Sequence, residues 1–351
     1  MFFGAVQLGL MAACVVLFVP MGMAGWHLSR NKVLFFSGAL FITLAVFIHL
    51  IPYFPSFFPQ TPSVMFQDPA TSSCISSLND VVFRPNSDGY LWDWDNTSNS
   101  RSYGCEFQKL GRVDVMDLLN GSWVVVAGDS QARLFVVGLL DLVLGADEME
   151  LIHGDLFKRH SDYHITVGEI GLKLDFIWAP YVANLSDVVV EFKRNGSYPD
   201  VLVMGSGLWH MLHFTNYSDY GVSLRLLRDS LNQLVPVRRK FEMESDSDPD
   251  STRGMHLFWL GMPTLINGLL NTEEKRAKMT REMCDAYDHE LYKSKILRRD
   301  GGSFLLLDVG TLSGKCGADC SLDGMHYSDV VYEASVHVML NALLIESHQK
   351  L

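Results

Sequence analysis

The sequence predicts an α/β protein: a three-layer α/β/α sandwich around a mostly parallel sheet, preceded by two transmembrane helices. Three observations predict it. The chain has 351 residues, enough for a sizeable buried core. Two long runs free of Asp, Glu, Lys and Arg lie before residue 60. Beyond them, short β-branched runs alternate with segments of helical apolar spacing, the pattern of helices covering a buried parallel sheet.

The elements follow in chain order. The apolar runs are Gly4 to Trp26 and Val33 to Phe54, each meeting the ~20 residues a spanning helix requires. A short turn between them carries Arg30 and Lys32, and no charged residue precedes the first run, so the basic start of a cleaved signal is missing. The excess of positive charge on cytosolic loops then places that turn in the cytosol and both termini in the lumen. The alternative is a removed signal followed by a single anchor. Residues 1–58 therefore read as a membrane anchor with spans 4–26 and 33–54, residues 59–110 as stalk and domain entry, and residues 111–351 as a luminal domain. Pro59 to Asp80, rich in Pro, Ser and Thr, forms the stalk. The aromatic cluster Tyr90 to Trp94 is expected to pack the domain edge rather than to stack on a carbohydrate.

Trp123 to Ala127 is a continuous apolar run suited to a buried parallel strand, followed by helical spacing from Arg133 to Leu144. Further extended runs cover Leu172 to Val182 and Val201 to Met204, the latter ended by Gly205-Ser206-Gly207. Leu257 to Leu260 and Phe304 to Leu307 read as strands. Tyr220 to Val235, Thr272 to Leu297 and Ser328 to Ile345 read as helices. The acidic stretch Glu242 to Asp250 lacks the glycine and closing glutamate of a calcium loop and reads as a solvated loop.

Composition narrows the function. A net charge of −12 argues against a nucleic-acid partner, which demands clustered Lys and Arg, and leaves glycans open. Asn-x-Ser/Thr acceptors at Asn96, Asn120, Asn184, Asn195 and Asn216 all lie beyond the second span, as on a secretory surface. Asn120 and Asn184 adjoin predicted strands, where a glycan would be hindered. Cys74, Cys105, Cys284, Cys316 and Cys320 fall on the same side, where disulfides persist. The expected bridges are Cys74–Cys105 and Cys284 with either Cys316 or Cys320, the second bracing the segment around Asp323 and His326. No Cys/His spacing points to a metal.

The chemistry concentrates in two motifs. Gly128-Asp129-Ser130 sits between a predicted strand and a predicted helix. A serine there lies at the open rim of a parallel sheet, and the helix start offers N–H groups and positive potential to a developing oxyanion. Its structural alternative is a helix-capping serine. Asp323-Gly324-Met325-His326 precedes the last helix, and an Asp three residues before a His reaches it within one turn. Serine needs a base, and the base needs a partner to hold its tautomer. Together the motifs predict a catalytic triad of Ser130, His326 and Asp323.

These residues carry a resemblance. Gly128-Asp129-Ser130 with Asp323-x-x-His326 resembles the SGNH/GDSL esterase and acyltransferase superfamily. Gly128-Asp129-Ser130-Gln131-Ala132-Arg133, Trp178-Ala179-Pro180-Tyr181 and Asp319 to Tyr327 are similar to segments of plant trichome-birefringence-like proteins and of the luminal domain of sialate O-acetyltransferase. Among such proteins are plant Golgi proteins of cell-wall polysaccharide O-acetylation. The resemblance spans roughly residues 115 to 345. It implies Ser130 as nucleophile, His326 as general base and acid, Asp323 as its orienting partner, and Arg133 as a residue pointing back toward Ser130 to hold an acyl carbonyl or a substrate hydroxyl. A surface salt bridge is the alternative role for Arg133. Many members carry an Asn after the third strand to complete the oxyanion hole. Here the segment reads Gly205-Ser206-Gly207-Leu208-Trp209-His210, with Trp209 lining the acceptor site or packing the core, and His210 and His213 expected as polar loop residues.

The function implied is O-acetyl transfer to cell-wall glycans of the xyloglucan or xylan type through an acetyl-serine, in the Golgi membrane with the catalytic domain luminal. An esterase of the same fold and a non-catalytic scaffold for acetylation are the alternatives, and the intact triad argues against the scaffold. No bound cofactor is expected; acetyl-CoA or a relayed acetyl group enters as a substrate. Two spans are too few for a donor channel, so the expected partners are a multispanning acetyl-donor transporter, other polysaccharide O-acetyltransferases, the glycan acceptor and the membrane.

Overall fold

The computed structural model describes residues 74–87, 89–95, 106–232 and 254–348. These belong to the unit Ser72–Leu351. The two expected spans, the stalk before Cys74, Asn96, Cys105 and the acidic stretch 242–250 lie outside the described residues.

An antiparallel hairpin, β1 (Val81–Asn86) and β2 (Gly89–Trp94), precedes the central sheet in the chain. The central sheet contains β3 (Trp123–Gly128), β4 (Tyr163–Val167), β5 (Leu172–Trp178), β6 (Val201–Met204), β7 (His256–Leu260) and β8 (Leu305–Leu307). Their order is β4-β5-β3-β6-β7-β8, parallel from β5 to β8, with β4 antiparallel to β5 at one edge. The chain leaves β3 toward β5 on one side and returns to β6 on the other. The carboxyl end of β3 is therefore a switch point, where open α/β sheets form their ligand crevice.

The β3 sequence explains its central place. Val124 and Val126 face one core, Val125 and Ala127 the other, and all four are fully buried. Such a strand has no polar face to offer to solvent. Helices cover both faces. On the first lie α1 (Arg112–Leu118), α2 (Ser130–Val143) and α3 (Ala146–Leu156), and, from later in the chain, the helices Val309–Cys316 and Asp329–His348 with the hairpin. On the second lie α4 (Val182–Asn195), α5 (Leu208–His213), α6 (Tyr217–Asn232), the short α7 (Glu273–Lys278) and α8 (Arg281–Lys293). The two C-terminal helices named above are α9 and α10.

α10 is long and apolar enough to cross a membrane by composition, with a mean hydropathy of 1.2. Two-thirds of that stretch is buried inside the domain, as expected of a core helix apolar on every side.

Several elements depart from the sequence expectations. The extended run expected to reach Val182 stops at Trp178, and α4 begins at Val182. Val182, Leu185, Val189 and Phe192 are its buried positions, a helical period overlooked among the polar residues between them. The single helix expected from Thr272 to Leu297 is two, because Thr280 turns into an extended conformation and its side chain caps α8 by accepting from the Met283 N–H at 3.3 Å. The hairpin was not expected as strands, but its Trp92 and Trp94 are buried, as packing of the aromatic cluster requires. Cys74 to Asp80, expected as stalk, packs as well: Leu78 is 1% exposed, and Asn79 bonds the Leu306 carbonyl and the Asp308 N–H beside the outermost strand β8.

The disulfide expectation for Cys284 is corrected. Cys316 pairs with Cys320, with a Cα–Cα distance of 5.8 Å, and Cys284 is a free thiol. The reason is topological: Cys284 sits on α8 on the second face of the sheet, while Cys316 and Cys320 belong to the core of the first. Burial, with Asp288 and Asp285 nearby, pushes the Cys284 thiol up to about 12. Cys74 is disulfide-bonded, and Cys105, its expected partner, lies outside the described residues.

Candidate active site

Ser130 is the first helical residue of α2, directly after β3. Asp129, not Ser130, is the helix cap: its carboxylate accepts from the Gln131 N–H at 2.9 Å. That leaves the Ser130 hydroxyl available, and the Ser130 N–H is among the first-turn donors that an α-helix leaves unpaired. Gly128 and Gly205 explain how the strand ends come together. A Cβ on Gly128 would lie 2.6 Å from the Gly205 carbonyl oxygen, and one on Gly205 would lie 2.8 Å from that of Leu260. Both positions demand glycine for close backbone approach.

The loop between α9 and α10 supplies the base. Ser328 N–H donates to the Cys320 carbonyl and Leu322 N–H to the His326 carbonyl, each at 2.8 Å, so residues 320–328 close on themselves. The Cys316–Cys320 bridge pins this loop to the end of α9. Within it, Asp323 accepts from the backbone N–H groups of His326 at 2.8 Å and Met325 at 3.1 Å, and its second oxygen lies 2.9 Å from His326 Nδ1. Burial alone would raise the Asp323 carboxyl, but these hydrogen bonds and the His326 charge outweigh it and hold the carboxyl below its usual value. An ionised Asp323 only accepts, so Nδ1 carries a proton, and in the neutral imidazole Nε2 is then the acceptor. His326 Nε2 lies 2.8 Å from Ser130 Oγ. The chain Ser130–His326–Asp323 is thus complete in geometry.

Two further residues shape it. Asp129, 3% exposed, has its carboxyl pushed up to about 6 by burial, against the lowering effect of the Gln131 N–H and the His326 charge. Gln131 was not anticipated. Its Nε2 donates to the Met325 carbonyl at 3.0 Å and its Oε1 accepts from the Tyr332 hydroxyl, tying the start of α2 to the residue before His326 and to α10. Sequence offered no signal for it beyond its place next to Ser130.

The triad opens into a cleft of about 270 Å³. One wall is aromatic: His160 stacks on Trp178 at 4.8 Å, and Trp209 meets Trp178 edge-on at 5.5 Å. His160 holds φ at +54°, a conformation uncommon outside glycine and enriched at functional sites. Arg133, Arg159 and Lys275 also line the cleft, and among the described residues no Asp or Glu does.

Arg133 lines the cleft with Ser130, as the resemblance implied, and makes no ion pair among the described residues, so the alternative surface salt bridge is not its role. It is 7% exposed, donates to the carbonyls of Lys158 at 2.8 Å and Ser161 at 3.3 Å, and lies against the rings of Phe176 and Trp178. Gly205 is not an oxyanion donor here, because its N–H is committed to the Ala127 carbonyl at 3.1 Å. Trp209 lines the cleft instead of packing the core. His210 and His213 belong to α5, not a loop; His210 is buried with Nδ1 2.7 Å from the Tyr287 hydroxyl. Of the glycan acceptors, Asn120, Asn195 and Asn216 are exposed, Asn120 in the turn before β3. Asn184 is half-buried in the first turn of α4 rather than beside a strand.

No protein-family model matches the chain. Among solved structures, an α/β hydrolase from the metagenome of Lake Arreo, Spain, shares 17% identity over 64% of this chain and 95% of its own, with a TM-score of 0.36. An acetylxylan esterase from Geobacillus stearothermophilus shares 13% identity over 64% and 95%, with a TM-score of 0.36. Similarity of that order assigns no activity. Protein ALTERED XYLOGLUCAN 9 of Arabidopsis thaliana is 54% identical over 369 aligned residues, covering 99% of this chain and 100% of that protein. At that identity over nearly the whole of both lengths, the chain belongs to the family of Protein ALTERED XYLOGLUCAN 9.

Proposed function

We propose that the chain is an O-acetyltransferase acting on cell-wall glycans of the xyloglucan or xylan type through an acetyl-serine intermediate. The observation that carries this reading is the 2.8 Å contact between Ser130 Oγ and His326 Nε2, with Nδ1 held 2.9 Å from an ionised Asp323. The xyloglucan link is drawn from the name of the 54%-identical relative.

In the first half-reaction, Ser130 Oγ attacks the acetyl carbonyl carbon and its proton passes to His326 Nε2. The tetrahedral oxyanion forms beside the N-terminal N–H groups of α2. The bond from carbon to the donor's leaving group then breaks, and Nε2 returns the proton to that group. In the second half-reaction, a sugar hydroxyl gives its proton to Nε2 and attacks the acetyl-serine; Ser130 departs and regains the proton. The Trp178–Trp209 wall offers apolar faces to a sugar ring. Water in place of the sugar would make the protein an esterase. The Cys316–Cys320 bridge and the exposed Asn acceptors agree with a Golgi lumen, with the acetyl group delivered by a multispanning partner.

The test is acetylation of xyloglucan or xylan oligosaccharides by the full chain. Ser130→Ala, His326→Ala and the double variant are each expected to lose on the order of 10^4-fold or more in turnover, without additivity, because the residues act as one unit. Acetyl-Ser130 should be trapped by mass spectrometry when acceptor is withheld. Acetate release at an equal rate with and without oligosaccharide would leave an esterase. Ser130→Ala that still supports glycan acetylation would refute the catalytic reading altogether.

A further inference from the structure

Arg133 is a buried cation with no counter-ion among the described residues. Nη1 and Nη2 are taken by the carbonyls of Lys158 and Ser161, and Nε has no partner among the described residues. A buried donor left unsatisfied is costly, and an unpaired buried charge more so. Those two bonds also fix the loop 158–161, which sets Arg159 on the cleft and holds His160 in its left-handed conformation. Arg159 makes no ion pair among the described residues. Lys275, from the first turn of α7, completes the lining; its Nζ rests 3.4 Å from the Met325 sulfur, and it too lacks a carboxylate partner there. Three cations from three separate segments thus meet beside Ser130 in a protein whose net charge is −12. A low-dielectric cleft lined by one sign of charge focuses its field on a ligand of the opposite sign.

We infer that Arg133, Arg159 and Lys275 form an anion subsite that takes the phosphate or pyrophosphate of a phosphate-bearing acyl donor. This rests on the acyl-serine reading above, chooses a phosphate-bearing donor between the alternatives left open there, and names the residues that hold its phosphate. A single sugar carboxylate is satisfied by one bidentate arginine, whereas three cations suit a group carrying more than one charge, with lysine serving as a point charge toward phosphate. Arg133 contributes by its buried charge and by positioning the Arg159 loop, while Arg159 and Lys275 reach the anion from the rim.

The experiment compares acylation of Ser130 in the full chain by acetyl-CoA and by acetyl phosphate with acylation by S-acetyl-N-acetylcysteamine, a neutral thioester bearing the same acetyl group. The readout is the ratio of second-order rates, followed by mass spectrometry of the Ser130 peptide. The wild type should prefer at least one phosphorylated donor. The Arg159→Gln/Lys275→Gln double variant should lower that ratio by about tenfold, the size expected for two partly exposed charge contacts, and added salt should lower it too. Inorganic pyrophosphate should slow acylation by the neutral thioester in the wild type more than in the double variant. Equal wild-type rates with all three donors, or a ratio unmoved by the double substitution, overturns the subsite alone. Competition by a glucuronate-bearing oligosaccharide but not by pyrophosphate overturns the phosphate assignment in favour of an acidic acceptor. Absence of acetyl-Ser130 from every donor overturns the catalytic reading and the subsite with it.

Discussion

Gln131 shows how a side chain with no chemistry of its own can set the distance between nucleophile and base. Its amide is spent entirely inside the protein, on the Met325 carbonyl and the Tyr332 hydroxyl, and it is 4% exposed. Replacing it with Leu keeps the volume but leaves the tyrosine hydroxyl and the carbonyl unpaired and unties the residue before His326. Small misplacements of a catalytic group cost up to about 100-fold in rate. Gln131→Leu should therefore lower kcat by about 10- to 100-fold with KM within a few-fold of wild type, measured by steady-state kinetics on a chromogenic acetyl ester. A rise in KM at unchanged kcat would reject a positioning role. Asp129 belongs to the same scale: because it caps α2, Ser130 is released from the capping role that sequence alone left open.

At the scale of an element, the loop 320–328 is the part on which the base depends. Gly324 sits at φ +87°, and a Cβ there would meet the Ile266 carbonyl oxygen at 2.6 Å and Leu269 at 3.0 Å. Ile266 N–H also donates to the Gly324 carbonyl at 2.8 Å, so the loop cannot retreat without losing that bond. Gly324→Ala should destabilise by more than ~1 kcal/mol, the cost of alanine where φ is positive, and should reduce activity at temperatures where the protein remains folded. Thermal unfolding read alongside the rate of acetyl-ester hydrolysis checks this; wild-type activity in a folded variant would show that the loop position is not critical. The sequence expectation of a bridge bracing this loop pointed to the right segment but to the wrong partner for Cys284, since chain order does not say which face of the sheet a cysteine occupies.

At the scale of the molecule, the last helix is anchored to the sheet by an ionic cluster. Glu346 of α10 bonds both His256 at the start of β7 and Arg298. Burial would raise the Glu346 carboxyl, but the hydrogen bonds and charges of His256 and Arg298 outweigh it and hold it at about 2, below its ordinary 4.5. A depressed carboxyl stabilises the folded state above its unfolded value, and that contribution is lost as pH falls from about 4.5 through about 2. Glu346→Gln should cost on the order of 2 kcal/mol near neutral pH, as for loss of a charged hydrogen-bond partner. The gap in thermal midpoint between wild type and variant should shrink toward pH 2. A gap that stays constant across that range would exclude the ionised carboxylate as its source.

What the sequence by itself determined is what neighbours in the chain decide. The alternation of β-branched runs with helical spacing, the strand ending in Gly128-Asp129-Ser130, and Asp323 within one turn of His326 all depend on interactions a few residues apart, and those read directly. The α4 helix and the break at Thr280 were legible too, in buried positions spaced three and four apart and in a capping threonine, but weaker than the propensities beside them. Only the tertiary structure decided what crosses the sheet: Ser130 against His326, 196 positions away, the Cys316–Cys320 pairing, the bond from Gln131 to Met325, and the meeting of Arg133, Arg159 and Lys275 in one cleft. Strand order and helix packing set those contacts, and they arise from burying two apolar faces at once, a condition that belongs to the whole chain and to no segment of it.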